Sequence, residues 1–387
     1  MKILHVITRL VRGGAQRNTL MCAQDQVLRG HEVWVVSGVE AGPEGSLWDE
    51  ASRDSYRLVA LPTLQREIQP WKDLRALWSL YQLIRKTQFD VVHTHTSKAG
   101  LLGRAAAHWA GTPAIVHTPH GHVFHSYFNP RKEAVIKFLE RMAAGWCDKM
   151  VALSQGCLDD HVHYGICPAS QMCIIPSGVD LTPYRQCQLA DPGVLSLPGP
   201  RLGMIARLVD IKGVLDLIDA MPEVVRKVPE ATLILAGDGP LRAQVESRIE
   251  ALHLQRRVKL LGEVIDVAPI YRALDLLVLP SHNEGMGRVL VEGMSAGLAV
   301  VATRVGGVPD VVVPGYNGLL VPPKAPAELA EAIVKLLEQP ELRHTMAENG
   351  KIHANKFSDQ VMFDGLDSLY QEMLAKKTNR NPRRRLR

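Results

Sequence analysis

The sequence predicts two α/β domains in tandem, each built on a parallel β-sheet that is covered by helices on both faces. Short, almost continuously apolar runs alternate with longer amphipathic stretches along most of the chain. Buried parallel strands have this apolar character because both faces of their sheet are covered, and helices form the crossovers between them. The alternation stops at residues 191–200, where prolines and glycines cluster, and then restarts. We therefore expect two Rossmann-like domains, residues 1–190 and 201–358, which face a central cleft and are joined by a linker at 191–200.

The individual elements follow from apolar periodicity and from turn residues. In the first domain we expect strands at residues 2–8, 32–37, 56–61, 90–95, 113–118, 149–153 and 173–175, with helices at 15–29, 71–86, 97–109 and 131–144. In the second domain we expect strands at residues 201–206, 232–236, 258–261, 276–279, 299–302 and 319–321, with helices between them. A closing helix is expected at 359–375, followed by a disordered basic tail at 376–387.

The helix predicted at residues 71–86 is rich in aromatic residues. Trp71, Leu74, Leu77, Trp78 and Tyr81 recur at helical spacing. This pattern favours a face that packs on the sheet over a surface for a membrane or an acceptor.

Composition excludes several classes of protein. The chain has 387 residues, of which 46% are apolar and 22% charged, which is enough for two full cores in a soluble protein. Its six cysteines form no Cys-x-x-Cys pair, so neither a zinc clip nor a redox motif is indicated. The first apolar run is too short for a signal peptide, and no stretch is long enough to span a membrane. We therefore expect a cytoplasmic protein.

The C-terminal tail has an unusual charge. Residues 376–387 carry seven basic groups and no acidic group, which accounts for the formal net charge of +5. Such a tail predicts peripheral association with an anionic membrane surface on the inner face of the cell membrane, and a solvated disordered end is the alternative. No nucleic-acid partner is expected.

Residues 276–292 join an apolar strand, a Gly-rich turn and a helix. Glu284 lies in the turn SHNEGMG, and Glu292 lies about two turns into the following helix. N–H groups at a helix start bind phosphate oxygens, and carboxylates accept hydrogen bonds from hydroxyl groups. Phosphates together with hydroxyl groups indicate a nucleotide-sugar as the ligand.

A second loop in the same domain carries positive charge. Arg207 and Lys212 follow the strand predicted at 201–206, and their side chains can bind two phosphates, the arginine as a fork and the lysine as a point charge. A solvated charged loop explains these residues equally well by themselves, but the two glutamates nearby favour phosphate. Since the chain contains no Asp-x-Asp sequence, we expect no metal and no cofactor, and charge on the diphosphate would be met by these side chains and by helix N–H groups.

Two stretches of the first domain are also candidates for binding. Gly13 and Gly14 separate the first strand from the first helix and would let the backbone approach a ligand, with a simple tight turn as the alternative. The run VHTPHGHVFH at residues 116–125 is rich in histidine, and His93 and His95 precede it. A metal site is one interpretation of this run. No acidic or cysteine ligand lies nearby in the sequence to complete such a site.

Taken together, these motifs resemble those of family 4 glycosyltransferases, which are retaining enzymes with the GT-B fold. The resemblance extends from Met1 to about Ser358 and is carried by the Glu-x7-Glu pair, the Gly-Gly-Ala-Gln loop, the Arg-Leu-x-x-x-Lys-Gly loop and the Thr-x-His-Gly sequence. It implies transfer of a sugar from a nucleotide-sugar, with UDP-sugars as the first choice, to a sugar or lipid-linked glycan. Retention of anomeric configuration and independence of metal ions are implied as well.

The resemblance also assigns roles to residues. His120 would orient the hydroxymethyl side of the donor and stabilise the departing sugar, Glu284 would hold sugar hydroxyls, and Glu292 would hold the ribose. The implied catalytic residues are His120, Glu284, Arg207 and Lys212. The implied donor-binding residues are Gly13, Gly14, Arg207, Lys212, Glu284, Gly285, Met286, Gly287 and Glu292. A GT-B nucleotide-sugar epimerase, a glycosidase with two carboxylates ~5–5.5 Å apart and an inactive GT-B scaffold are the alternatives.

Overall fold

A computed structural model describes residues 1–39, 45–120 and 130–380 of the chain, without the side chains of residues 130–132 and 378–380. The chain divides into two compact units. Unit 1 contains Met1–Gly178 and the chain from Gln360 onward, and unit 2 contains Val179–Asp359.

Over its described residues, unit 1 is a seven-stranded parallel sheet in the order β3-β2-β1-β4-β5-β6-β7. Its strands are β1 (Lys2–Arg9), β2 (Glu32–Gly38), β3 (Arg57–Ala60), β4 (Val91–His95), β5 (Ala114–Thr118), β6 (Lys149–Ala152) and β7 (Met172–Ile174). Its helices are α1 (Gly14–Leu28), α2 (Trp48–Ala51), α3 (Pro70–Thr87), α4 (Ser97–Ala110), α5 (Pro130–Ala144) and α6 (Gln155–His163).

The central strand β1 supplies side chains to both faces of this sheet. Ile3 and Ile7 pack in one cluster with residues of α1. Leu4 and Val6 pack in a second cluster with residues of α3 and α4. Because side chains alternate along a strand, the nearly continuous apolar run of β1 is required to bury both faces.

Helix α3 buries a different face from the one that its aromatic residues predict. Ala76, Leu80 and Ile84 are buried, whereas Trp71 and Trp78 are 80% and 59% exposed. The prediction that the tryptophans pack on the sheet is therefore wrong. Trp71, Leu74 and Trp78 form a separate stripe on the opposite side of the helix, since residues 71 and 80 are separated by two and a half turns. Leu77 and Tyr81 do pack against the core as predicted.

Unit 2 is a six-stranded parallel sheet, over its described residues, in the order β10-β9-β8-β11-β12-β13. Its strands are β8 (Arg201–Ile205), β9 (Thr232–Ala236), β10 (Val258–Gly262), β11 (Leu276–Leu279), β12 (Val300–Thr303) and β13 (Gly318–Val321). Its helices before β12 are α7 (Thr182–Gln186), α8 (Pro192–Leu195), α9 (Val214–Lys227), α10 (Arg242–Ala251), α11 (Ala268–Ala273) and α12 (Arg288–Ser295). Those after β12 are α13 (Val308–Val311), α14 (Pro326–Glu338) and α15 (Pro340–Ala354).

The stretch at 191–200 is not a linker, as the sequence had suggested, but part of unit 2. Asp191 accepts a hydrogen bond from the backbone N–H of Val194 and starts helix α8, in which Pro192 occupies the first turn. These are ordinary residues for a helix start. Val194 is fully buried in the core of unit 2. The boundary between the units lies instead after Gly178.

The closing helix, α16 (Asp359–Arg380), returns to unit 1 and extends beyond its predicted end. Met362, Leu366 and Tyr370 pack in the same core cluster as residues of β1 and α1. The prediction of disorder from residue 376 is wrong as far as residue 380, because Lys376 pairs with Glu372 one turn earlier and Lys377 with Asp148 at 2.7 Å. The rest of the predicted tail, residues 381–387, lies outside the described part of the chain. No helix in the described residues has the length and apolarity needed to cross a membrane.

Candidate active site

In unit 2, the loops that follow β8 and β11 are in direct contact. These two strands are neighbours at the point where the strand order reverses, which is where ligands bind in open parallel sheets. The backbone N–H of His282 donates to the carbonyl of Ile211 across the two loops, at 2.8 Å. Gly213 has φ +65°, and a Cβ there would lie 2.0 Å from the carbonyl oxygen of Pro280. Only glycine allows this close approach.

The same contact brings together Lys212 and Glu284, two residues that the sequence predicts for the site. Lys212 Nζ lies 2.5 Å from Glu284 Oε1, and the Ser281 hydroxyl donates to the same oxygen at 2.8 Å. The Glu284 side chain is only 11% exposed. A charged lysine and a buried hydroxyl therefore hold the first glutamate of the Glu-x7-Glu pair in one orientation.

The end of β12 and the loop after it, which the sequence analysis did not assign to the site, contact the backbone of the Glu284 turn. The N–H of Gly307 donates to the carbonyl of Glu284 at 3.1 Å. A Cβ on Gly306, whose φ is +46°, would lie 1.9 Å from that carbonyl oxygen. Thr303 donates from its hydroxyl to the carbonyl of Ser281. The Gly306-Gly307 pair after an apolar strand is the signal in the sequence that could have indicated this support.

The second glutamate, Glu292, is held by a tyrosine that the sequence analysis missed. The Tyr271 hydroxyl donates to Glu292 Oε2 at 2.9 Å. Burial, followed by the nearby charge of Glu292, raises the pKa of Tyr271 well above its ordinary value, so the hydroxyl stays protonated. Tyr271 precedes its partner by 21 residues, and no local pattern marks such a pair.

The turn between the two glutamates differs from its prediction in two respects. Helix α12 begins at Arg288, after Gly287 in the left-handed conformation, so Glu292 lies just over one turn into the helix rather than about two. Met286 is 3% exposed and packs in the core of unit 2, so contact with a donor could come only from its backbone. Gly285 is partly exposed, and Arg207 is exposed on the loop that also carries Lys212.

In unit 1, Gly13 and Gly14 begin helix α1. Gly13 is the N-cap residue in an extended conformation, and no side chain caps this helix end. A Cβ on Gly13 would lie 2.7 Å from Gln16 Oε1. Gly13 and Gly14 therefore lie at a helix N-terminus, and the approach of a ligand to their backbone stays a prediction.

His120 follows the end of β5 with φ 61°, an uncommon conformation for a residue other than glycine. Its Nε2 lies 2.9 Å from Nδ1 of His95. Of the other histidines in the run, His117 is hydrogen-bonded to Thr94, and His122 and His125 lie outside the described residues. Among the described histidines of the run, His120 is the one that is hydrogen-bonded to a buried histidine of β4.

Three buried imidazoles lie behind His120. The candidate ligand nitrogens of His5, His93 and His95 lie within 4.8 Å of one another, a spacing compatible with a metal ion. Their nitrogens are already hydrogen-bonded, however. His5 bonds to His95 and Gln26, His95 also bonds to His120, and His93 bonds to Tyr370 and Thr118. The contacts satisfy these histidines without an ion.

Burial lowers the pKa of His5 to about 4, and burial also lowers the pKa of His93 and His95 well below the ordinary value. The folded protein therefore keeps these imidazoles neutral at pH values where the unfolded chain binds protons.

We expect acid to destabilise the protein through these histidines. The stabilisation is complete above pH 6.5 and is lost as the pH falls from 6.5 to 4, because only the unfolded state takes up protons in that window. His5 alone should lower the free energy of unfolding by about 2 kcal/mol between pH 7 and pH 5. Urea unfolding at both pH values measures the loss, and His5→Phe should reduce it. A free energy of unfolding that is equal at both pH values would contradict this expectation.

Comparisons with known proteins identify the family of the chain. The model for Glycosyltransferase Family 4 matches residues 12–183, and the model for Glycosyl transferases group 1 matches residues 194–353. The UDP-Gal:alpha-D-GlcNAc-diphosphoundecaprenol alpha-1,3-galactosyltransferase of Escherichia coli is 30% identical over 97% of this chain and 98% of its own length. The capsular polysaccharide biosynthesis glycosyltransferase CapM of Staphylococcus aureus is 27% identical over 96% of this chain and 97% of its own.

Solved structures show the same fold. HepE of Anabaena in complex with UDP superposes with a TM-score of 0.80 at 24% identity, covering 96% of this chain and 100% of that chain. WaaG, a glycosyltransferase involved in lipopolysaccharide biosynthesis, superposes with a TM-score of 0.74 at 20% identity, covering 95% and 99%. The two parallel-sheet units are those of the GT-B fold. With a relative of this identity matched along almost its whole length, the chain belongs to glycosyltransferase family 4.

Proposed function

We propose that the protein transfers a sugar from a UDP-sugar to a glycan or lipid-linked glycan, with retention of anomeric configuration and without a metal ion. The observation that carries the proposal is the contact between Lys212 and Glu284 at the switch point of unit 2. In this contact an ammonium group lies beside a carboxylate, and the proposal assigns the ammonium to a phosphate and the carboxylate to sugar hydroxyls. The E. coli relative is named for a UDP-Gal donor and a diphosphoundecaprenol-linked acceptor, and HepE was crystallised with UDP.

In the proposed reaction, the bond between the anomeric carbon of the donor and the phosphate oxygen breaks, and a bond from the acceptor hydroxyl to the same face of that carbon forms. The proton of the acceptor hydroxyl passes to the departing phosphate oxygen, so the products are UDP and the extended glycan. Lys212, Arg207 and the N–H groups at the start of α12 stabilise charge on the diphosphate. Glu284 holds sugar hydroxyls, His120 orients the hydroxymethyl side of the sugar, and Glu292 holds the ribose.

A thermal-shift panel of UDP-, GDP- and ADP-sugars in EDTA tests the donor. The UDP-sugar should raise the midpoint most, since a ligand at a hundred times its dissociation constant adds about 2.7 kcal/mol of stability. Products from the best donor, with and without an acceptor glycan, then separate a transferase from an epimerase. A shift that requires Mg²⁺, or a converted donor sugar without any acceptor, would contradict the proposal.

We also propose that the protein associates peripherally with the inner face of the cell membrane. The exposed stripe of Trp71, Leu74 and Trp78 on α3 would insert among lipid headgroups, with Arg75 beside it and the basic C-terminal residues adding attraction to anionic lipid. Tryptophan suits the boundary between headgroups and acyl chains because its ring is apolar with one polar edge.

We expect the variant Trp71→Ser/Trp78→Ser to lose most of its binding to anionic liposomes, and deletion of residues 376–387 to weaken the binding further. Co-sedimentation measures both changes. Trp109→Ser is the matched control, because Trp109 is 55% exposed on α4 of the same unit. Equal liposome binding by all variants and the wild type would contradict the proposed membrane association.

A further inference from the structure

A chain of hydrogen bonds leads from the interior of unit 1 to His120. Its members are Gln26 on α1, His5 on β1 and His95 on β4, which are all at most 3% exposed. Gln26 Oε1 lies 2.8 Å from His5 Nε2, His5 Nδ1 lies 2.9 Å from His95 Nε2, and His95 Nδ1 lies 2.9 Å from His120 Nε2. The fold thus joins three elements that are distant in sequence into one line of side chains.

Every bond of this chain has a fixed direction when its imidazoles are neutral, because each ring then has one donor and one acceptor nitrogen. The amide oxygen of Gln26 can only accept, so His5 Nε2 carries a proton and His5 Nδ1 accepts. His95 Nε2 must then donate and His95 Nδ1 accept. The proton of His120 is therefore on Nε2, and its Nδ1 is an acceptor.

A second set of hydrogen bonds lies beside this chain and ends near His120. The Gln26 amide of the chain is oriented with its oxygen toward His5. The Tyr370 hydroxyl lies 2.6 Å from His93 Nδ1, and His93 Nε2 lies 2.7 Å from the hydroxyl of Thr118. Thr118 ends β5, two residues before His120.

We propose that Gln26, His5 and His95 are positioning residues that hold His120 as the Nε2–H tautomer, so that His120 Nδ1 accepts a hydrogen bond from a hydroxyl of the donor sugar. The role in transfer rests on the proposed function, whereas the tautomer itself does not. The chain is not a proton channel, because it ends at an amide, which cannot take a proton at neutral pH. The ring nitrogens of His5 and His95 that an ion would need are occupied by the hydrogen bonds of the chain.

The test uses Gln26→Met, which removes the acceptor at the far end and leaves every histidine in place. Nitrogen-15 NMR of labelled imidazoles reports the tautomer of each ring, and His120→Gln assigns the signal of His120. In the wild type, the Nε2 signal of His120 should be that of a protonated ring nitrogen, and its Nδ1 signal that of an unprotonated ring nitrogen. In Gln26→Met the two signals should shift toward each other as both tautomers become populated, and kcat should fall by about tenfold, the effect of one misdirected hydrogen bond.

Cys22→Ala is the matched control. Cys22 lies one turn before Gln26 on α1, is also buried, and contacts Met362 of α16 at 3.8 Å. This variant should be less stable than the wild type, but His120 should keep its tautomer and kcat should be unchanged. The proposal is overturned if Gln26→Met leaves the His120 signals unchanged, if Cys22→Ala shifts them equally, or if they shift without a change in kcat. Zn²⁺ that displaces the imidazole protons of His5 and His95 in the wild type would overturn it as well.

Should the wild type show no transfer from any UDP-sugar, the proposed function fails, and the NMR comparison still decides whether the chain sets the tautomer.

Discussion

Glu284→Gln is expected to reduce kcat by about 10²–10³-fold, with the KM for the donor nearly unchanged. Glutamine preserves the shape of the side chain and its contacts with Lys212 and Ser281 but removes the negative charge. In the proposed reaction, that charge faces a sugar that becomes positive as its bond to phosphate breaks. An interaction that strengthens only in the transition state appears in kcat rather than in KM.

Ser281→Ala is the control for this prediction. It removes the hydroxyl that donates to Glu284 Oε1 at 2.8 Å and leaves the carboxylate charged. Its effect on kcat should be at most about tenfold, because one hydrogen bond is lost while the negative charge of Glu284 stays in place. Equal losses in both variants would mean that the orientation of Glu284, and not its charge, is what matters.

Lys212→Ala should reduce kcat/KM by about 30-fold to several thousandfold, which corresponds to the loss of one partner of a largely buried charge pair at about 2–5 kcal/mol. The Lys212 ammonium has two roles in this proposal. It lies 2.5 Å from Glu284 and orients that side chain in the free protein, and it would bind the diphosphate in the complex. Lys212→Arg should recover part of the activity, since it restores the charge but not the compact ammonium.

The double variant Lys212→Met/Glu284→Gln separates activity from stability. Lys212→Ala leaves the Glu284 carboxylate without its cation, so the free energy of unfolding should fall, and the double variant should recover it because no unpaired charge remains. Its kcat/KM should stay as low as that of the worse single variant. Recovery of activity together with stability would contradict a direct role of Lys212 in the reaction.

The sequence predicted those features of the fold that local pattern controls. The apolar runs at residues 2–8 and 276–279 place β1 and β11 within about a residue, because a strand buried on both faces admits few other residue types. The same reasoning located Lys212 and Glu284 at the ends of two strands. Their contact was not predicted; the structure shows it, and it agrees with the rule that loops at a switch point converge.

Features that depend on long-range pairing were not predictable in this way. Tyr271 holds Glu292 across 21 residues, and His5 holds His95 across 90, so no periodic pattern marks either pair. The prediction that Trp71 and Trp78 pack on the sheet was wrong because two apolar stripes run along α3. Only the tertiary structure decides which of the two is buried. The prediction of a linker at 191–200 was wrong because proline is as common in the first turn of a helix, where Pro192 lies, as it is in a loop.

We propose a division of roles between the two glutamates of unit 2, with Glu284 acting on the sugar and Glu292 on the nucleotide. Calorimetric titration of free UDP in EDTA tests it most directly, because UDP carries the ribose and diphosphate but no sugar. We predict that Glu284→Gln binds UDP as tightly as the wild type or more tightly, since the charge of Lys212 is no longer neutralised by a carboxylate. Glu292→Gln should bind UDP more weakly by about 1–3 kcal/mol, the loss of a charge-assisted hydrogen bond. If Glu284→Gln loses affinity for UDP and Glu292→Gln keeps it, the assignment of the two carboxylates is reversed.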